Sequence, residues 1–193
     1  MCSSDLEKEM RIIAGKYRGR VLKEFRGQDI RPTADRVKES VFQILSSRLL
    51  GARVLDLFCG SGALGIESLS RGAGEAVFND ISKESLKLLA ANLKLVGERA
   101  QTVNLPYESC LKTLSGRFSL IFCDPPYRMD CLAEILGLVK ERGLLEADGL
   151  VIFEGEREET PPEGWEIADE RRYGRTRVYF FRPAEEEKGG EEP

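Results

Sequence analysis

Residues 53–65 read Arg53-Val-Leu-Asp-Leu-Phe-Cys-Gly-Ser-Gly-Ala-Leu-Gly65. Arg53 to Phe58 is predicted as a strand that ends in a glycine turn, and Ala63 to Arg71 as a helix. Between them Gly60, Gly62 and Gly65 satisfy GxGxxG. Glycines at such a turn let the backbone approach a ligand and expose the amides of the helix start. Asp80 ends the next predicted strand, Glu75 to Asp80, where its carboxylate can accept from two ribose hydroxyls.

The same alternation continues outward. Ser82 is predicted to cap a helix to about Val96, with Leu86, Leu89 and Leu93 on one face. Gln101 to Asn104 is a short third strand, followed by a helix from Tyr107 to Leu114. Phe118 to Cys123 is a fourth strand, stopped by Asp124-Pro125-Pro126. A helix over Cys131 to Arg142, a strand over Leu150 to Glu154, and a hairpin of Trp165 to Tyr173 with Thr176 to Phe181 complete the core. Strands alternating with helices make an α/β fold whose mainly parallel sheet is covered on both faces. Ligands bind beyond the carboxyl ends of such strands, so the loops after Phe58, Asp80, Asn104 and Cys123 are where function is sought.

Upstream, Arg11 to Ile13 and Val21 to Lys23 are expected as short strands. Thr33 is expected to cap a helix that buries Val37, Val41, Ile44 and Leu45. This part is too small to bury a core of its own. The expected organisation is a disordered 1–10, one domain over 11–183 and a disordered acidic tail over 184–193. Within the domain, 11–50 is an N-terminal extension and 51–183 a Rossmann-like core.

The five cysteines show no CxxC spacing, and there is no histidine. That disfavours a disulfide framework, a zinc site and histidine-based nucleophile designs, and it fits a reducing cytoplasm. No metal and no membrane partner are expected, and the chain is expected to act as a monomer. The formal net charge is -4, but it is unevenly spread. Arg11 to Lys38 holds nine Lys/Arg against Glu24, Asp29 and Asp35, and Arg171 to Arg182 holds five Arg and no acid. Local basic segments bind phosphates more than a net figure suggests.

Asp56 separates two readings of the glycine turn. A carboxylate at the end of the first strand repels a pyrophosphate but suits the amino and sulfonium groups of S-adenosylmethionine. Candidate cofactor-binding residues are therefore Asp56, Phe58, Gly60, Ser61 and Gly62, with Asp80, Ile81 and Tyr107 from the following loops. The corner Asp124-Pro125-Pro126-Tyr127 is the candidate catalytic set. Asp124 and the Pro125 carbonyl can accept from an exocyclic amine, and Tyr127 can stack on a planar ring. Such an amine is a weak nucleophile, and orienting it is the main catalytic task.

Four segments together resemble the RsmD-type 16S rRNA guanine-N2 methyltransferases of bacteria. They are Arg11-Ile-Ile-Ala-Gly-Lys-Tyr-Arg-Gly-Arg20, Arg31-Pro-Thr-Ala-Asp-Arg-Val-Lys-Glu39, Asp56 to Gly65 and Asp124 to Tyr127. The resemblance implies a class I S-adenosylmethionine-dependent methyltransferase fold. That fold has a seven-stranded, mostly parallel sheet with helices on both faces and a small N-terminal hairpin and helix extension. It further implies methylation of a guanine amino group in 16S rRNA within a partly or fully assembled small subunit. Arg11, Arg18, Arg20, Arg31, Thr33 and Arg36 would contact RNA and help close the site, with Arg175 from the basic hairpin. Pro106 stands where the family often carries an acid or Asn that meets the adenine amino group, so a backbone group or Glu108 is expected to replace it. A DNA adenine-N6 methyltransferase, a protein-glutamine methyltransferase (which usually reads Asn-Pro-Pro-Tyr) and a non-enzymatic rRNA-binding assembly factor are the competing readings.

Overall fold

The computed structural model describes residues 10–25, 32–126 and 128–185, with backbone alone for 32–35. The expectations for 1–9, Arg31, Tyr127, the Thr33 side chain and the tail from 186 lie outside the described residues. Seven strands form one sheet: β1 Arg53–Asp56, β2 Glu75–Asn79, β3 Gln101–Val103, β4 Phe118–Cys123, β5 Leu145–Gly155, β6 Trp165–Tyr173 and β7 Thr176–Pro183. Their order is β3-β2-β1-β4-β5-β7-β6. Only β7 runs against its neighbours. The order reverses between β1 and β4, the place where open α/β sheets hold ligands.

Alternation along the strands decides the two faces. Leu55, Val77, Ile121, Val151, Phe153 and Tyr179 point to one side, under α4 (Tyr107–Thr113) and α5 (Leu132–Glu141). Val54, Leu120, Phe122, Ile152 and Phe180 point to the other, under α1 (Pro32–Ile44). Ala76 and Phe78 share that second side with α2 (Ala63–Ser70) and α3 (Lys83–Val96). Each fully buried Val, Leu or Phe contributes about 1.5–3 kcal/mol. Ser82 caps α3 as its sequence predicts, accepting from the Ser85 amide at 3.2 Å. No helix among the described residues is long and apolar enough to cross a membrane.

The structure corrects several expectations upstream of β1. The two predicted strands reduce to one antiparallel bridge, Arg11 to Val21, because no third strand among the described residues extends the ladder. α1 begins at Pro32, so Thr33 lies inside the first turn and not ahead of it. Proline, with its φ preset and no N–H to lose, suits that first position. The buried side of α1 is Val37, Lys38, Val41, Phe42 and Leu45, with Ile44 only half-buried. The face is turned toward Lys38 because that ammonium has an acidic partner beneath it.

That partner is Glu67, fully buried on α2. Its oxygens accept from the amides of Ile13 at 2.8 Å and Ala14 at 3.1 Å, and from Arg71 Nε at 2.7 Å. Lys38 Nζ lies 3.8 Å away and donates to the Arg11 carbonyl at 2.8 Å. A second clamp is Asn92 on α3, buried, which accepts from the Lys23 amide and donates to the carbonyls of Lys23 and Ser61. The N-terminal hairpin is therefore fastened to the core by hydrogen bonds at both of its strands. Glu67→Ala removes the acceptor shared by two amides, Arg71 and Lys38, and is expected to cost about 3–5 kcal/mol in urea unfolding. A loss no larger than about 1 kcal/mol, the value of a surface pair, would refute the clamp.

Candidate active site

The glycine turn is built by packing as much as by ligand approach. Gly62 has φ 86°, and a Cβ there would meet Leu89 at 2.3 Å. A Cβ on Gly65 would meet the Phe78 ring at 2.2 Å, so this glycine lets α2 lie on β2. The Gly65 amide donates to Asp56 Oδ2 at 2.9 Å. The expectation that the helix start offers free amides therefore fails at Gly65, because the acid at the end of β1 has already taken that amide.

Asp80 is organised in the same way. Its Oδ2 accepts from the Gly60 amide at 2.9 Å and its Oδ1 from the Ser82 amide at 2.8 Å. A carboxylate oxygen has two lone pairs, so each oxygen keeps one for a ligand. Asn104 Nδ2 donates to the carbonyls of Asp80 and Ile81, fixing the loop that carries them. Buried Asn79 donates to the Leu57 carbonyl and accepts from the Leu105 amide at 3.4 Å, joining the ends of β1 and β3.

These loops enclose one cleft of about 940 Å³. Asp56, Phe58, Gly60, Ser61, Asp80, Ile81, Tyr107, Asp124, Pro125 and Pro126 all line it. The structure thus brings together most of the predicted cofactor and catalytic residues. Ile81 is an apolar side chain left 70 % exposed at its wall. Phe58 and Tyr107 pack ring to ring at 5.6 Å, and the Tyr107 hydroxyl donates to Glu134 at 2.6 Å. Pro106 and Glu108 line the cleft beside Tyr107.

The polar chemistry of the cleft is one-sided. Glu24, Asp56, Asp80, Glu108, Asp124 and Glu154 line it, with no Lys or Arg among the described residues that do. Asp56, Asp124 and Glu154 stand at the ends of the adjacent strands β1, β4 and β5. Burial, with help from Asp124 and Asp80, pushes Asp56 up to about 7. Asp124 opens on the cleft but is walled by protein elsewhere, and that enclosure raises it. Glu154 is raised by burial and by the charge of Asp124. Glu154 escapes a reading based on motifs. Its only signal in the sequence is an acid following the apolar strand residues Val151, Ile152 and Phe153.

The family model described as Conserved hypothetical protein 95 matches residues 10–182. The chain belongs to that family. The ribosomal RNA small subunit methyltransferase D of Escherichia coli (strain K12) is 35% identical over 177 residues, covering 90% of this chain and 89% of that one. The solved structure of the Escherichia coli protein yhhF superposes with a TM-score of 0.80 at 32% identity, covering 91% of this chain and 98% of that one. The SAH-bound Podospora anserina methyltransferase PaMTH1 superposes with a TM-score of 0.54 at 26% identity, over 64% of this chain and 56% of that one. With the sheet order above, the fold is that of the class I S-adenosylmethionine-dependent methyltransferases, and S-adenosylmethionine is the cofactor. The cleft fits such a ligand, since its acidic lining suits a positively charged group and Ile81 offers an apolar surface to a ring.

The arginines expected at RNA divide into groups. Arg11, Arg18, Arg20 and Arg36 are exposed on the family's N-terminal segment. Arg20 donates to the Leu95 carbonyl at 2.7 Å and lies over the Tyr17 ring. Met10 and Val37, the chain neighbours of Arg11 and Arg36, line the cleft. The second basic segment is largely neutralised by its own hairpin. Arg171 pairs with Asp169, Arg177 with Glu170 and Glu158, and Arg182 with Glu166. Counting charge from Arg171 onward misses the acids just before it on β6, which the hairpin folds against β7. Arg175 sits at the exposed turn. Four cysteines, Cys59, Cys110, Cys123 and Cys131, are free and buried, and burial pushes their thiols up.

Raised carboxyls make stability depend on pH. Asp56, Asp124 and Glu154 hold protons more tightly folded than unfolded. Their contribution is complete below the ordinary carboxylate range, about 4, and is lost as pH rises through the folded values. The melting temperature of the ligand-free protein is therefore expected to fall between about pH 5 and pH 8, and to fall less in Glu154→Gln. A slope in that variant as steep as the wild type's would contradict the crowding of the three acids.

Proposed function

We propose that this chain transfers a methyl group from S-adenosylmethionine to the N2 amino group of a guanine in 16S rRNA of the small ribosomal subunit. The observation that carries the reading is the placing of Asp124-Pro125-Pro126 on the wall of an acid-lined cleft at the sheet's switch point. The name printed for the Escherichia coli relative supplies the RNA class.

Asp80 would accept from the ribose hydroxyls of the cofactor on its free lone pairs, and Asp56 would face its positive end. Phe58, Ile81 and Tyr107 would flank its ring, and Gly60, Ser61 and Gly62 would let it lie close to the backbone. The cofactor would supply an electrophilic methyl. Asp124 accepts from the target amine, orients its lone pair into the cleft and takes the proton that the nitrogen gives up. Two successive prolines fix the corner and leave the Pro125 carbonyl as a second acceptor. Tyr127 stacks on the base. Alignment of this kind lowers barriers by about 7–11 kcal/mol in well-oriented systems. The target base leaves its stack to enter, at a cost of a few kcal/mol in a duplex and less in a loop. Arg11, Arg18, Arg20, Arg31, Thr33 and Arg36 hold the surrounding phosphates, with Arg175 at the edge, and segment 11–50 serves as the RNA-binding part of a single domain over 11–183. The assembled or assembling subunit is the substrate, acted on in the cytoplasm by a monomer.

Mass spectrometry of rRNA nucleosides from cells with and without the gene tests the reaction. N2-methylguanosine is expected to disappear with the gene and to return with the wild-type chain but not with Asp124→Ala. Purified Asp124→Ala should still bind S-adenosylmethionine within about threefold of wild type, a difference under 1 kcal/mol. Return of the modified nucleoside with that variant would remove Asp124 from its role.

RNA binding is expected to weaken linearly in log–log terms with added salt. Replacing Arg18 and Arg36 together should reduce the slope by roughly 1–2, near 0.7–0.9 per lost phosphate contact. An unchanged slope would free both residues from RNA.

A further inference from the structure

Asp124 has a neighbour that the mechanism above leaves unused. Cys123 pairs with Phe153 in the β4–β5 register, so the next residues, Asp124 and Glu154, leave adjacent strands side by side. Strands lie about 4.8 Å apart. Phe122 and Ile152 face α1, and alternation turns Asp124 and Glu154 to that same side. Together the two acids line a recess of about 180 Å³ that adjoins the main cleft. Its other walls are mostly apolar, with Val37 and Val41 from α1, Leu64 from α2, and Ile152 and Val178 from the sheet. Neither acid has a hydrogen-bond or ion-pair partner among the described residues. A slot with mostly apolar walls and two adjacent carboxyls that no protein group has taken fits a flat ring that presents a row of polar atoms along one edge.

Guanine has such an edge: the O6 acceptor, the N1–H donor and the N2 amine stand in a row. A neutral carboxylic acid offers a carbonyl acceptor and a hydroxyl donor together, which is the complement of N1–H and O6. An ionised carboxylate offers acceptors alone, the complement of the amine. We propose that Glu154 selects guanine, its carboxylic acid pairing with N1–H and O6 while Asp124 accepts from the N2 amine. This rests on the guanine-N2 reading given above. Burial and the charge of Asp124 both favour keeping the proton on Glu154. The other charged groups that face it are Asp56 from β1, Lys38 from α1 and Glu24 from the end of the N-terminal hairpin, with Arg177 beside it on β7.

The test uses small-subunit particles reconstituted with rRNA that carries guanine or 2-aminopurine at the methylated position. The analogue keeps the C2 amine but lacks O6 and N1–H. Wild type is expected to prefer guanine in kcat/KM by at least about tenfold, within the range of one good bidentate contact to a base. Glu154→Ala should lose that preference by slowing guanine while changing 2-aminopurine little. Glu154→Gln, which also offers a carbonyl and an N–H donor, should restore it. Raising the pH through the Glu154 titration should erode the wild-type preference and spare that of Glu154→Gln. Equal slowing of both bases by Glu154→Ala, or an unaltered preference, overturns the assignment, as does a Gln variant no better than Ala. If wild type makes no N2-methylguanosine at all, the guanine reading itself has failed. If it does and the preference ignores Glu154, only this inference has.

Discussion

Three carboxylates end three adjacent parallel strands, no Lys or Arg is among the described residues that line the cleft, and Lys38 in the adjoining recess is engaged by Glu67 and the Arg11 carbonyl. The rest of the site is arranged around that constraint. The sheet order puts β1, β4 and β5 side by side, and burial of their apolar residues leaves the fold no freedom to move the strand ends apart. Only Asp56 receives a backbone donor, the Gly65 amide. Like charges so placed favour either a bound proton or a ligand with positive charge and N–H donors. A sulfonium cofactor and a base edge rich in donors are two such ligands.

The second requirement is that the N-terminal hairpin stay in place without a core of its own. The hairpin over residues 10–25 buries Ile12 and Leu22, which is too little apolar surface to order it. Hydrogen bonds to core side chains, Glu67, Ser70 and Asn92 among them, complete the task. Glu67 and Asn92 project from α2 and α3, and both bond main-chain groups of the hairpin. Asn92 also holds the Ser61 carbonyl in the glycine turn. One amide side chain therefore couples the position of the N-terminal segment to the loop that approaches the cofactor. A shift at either place disturbs the other, giving the extension a physical link to the chemistry.

Much of this was legible in the sequence, for local reasons. Ser82 marks the start of α3 because its hydroxyl caps the helix whatever surrounds it, and β4 runs over Phe118–Cys123 as its apolar run requires. The glycine turn, Asp80 and the Asp-Pro-Pro corner are contiguous signatures. What stayed hidden depends on partners distant in the chain. Glu67 reads as a solvated helix acid until the amides of Ile13 and Ala14 arrive from over 50 residues away. Periodicity favours Ile44 over Phe42 because the rotation of α1 is set by burial of Lys38, which a polar-face reading leaves outside. The arginines of β7 read as a basic patch because the acids that neutralise them belong to another strand.

The absence of histidine leaves the division of labour between acids to environment alone. Asp124 and Glu154 are both raised, Asp124 by desolvation and Glu154 by desolvation and the charge of Asp124. Two carboxyls that cannot both ionise cheaply are suited to different roles in one site. In the proposed arrangement the one at the proline-fixed corner orients the amine, and the one on the next strand keeps the proton and meets the remainder of the base. In the proposed reaction the target nitrogen becomes acidic once it carries the new methyl, so neither acid has to be a strong base. The β4–β5 register sets the spacing between them, and a slip of one residue would turn one of the two acids to the opposite face of the sheet and part the pair.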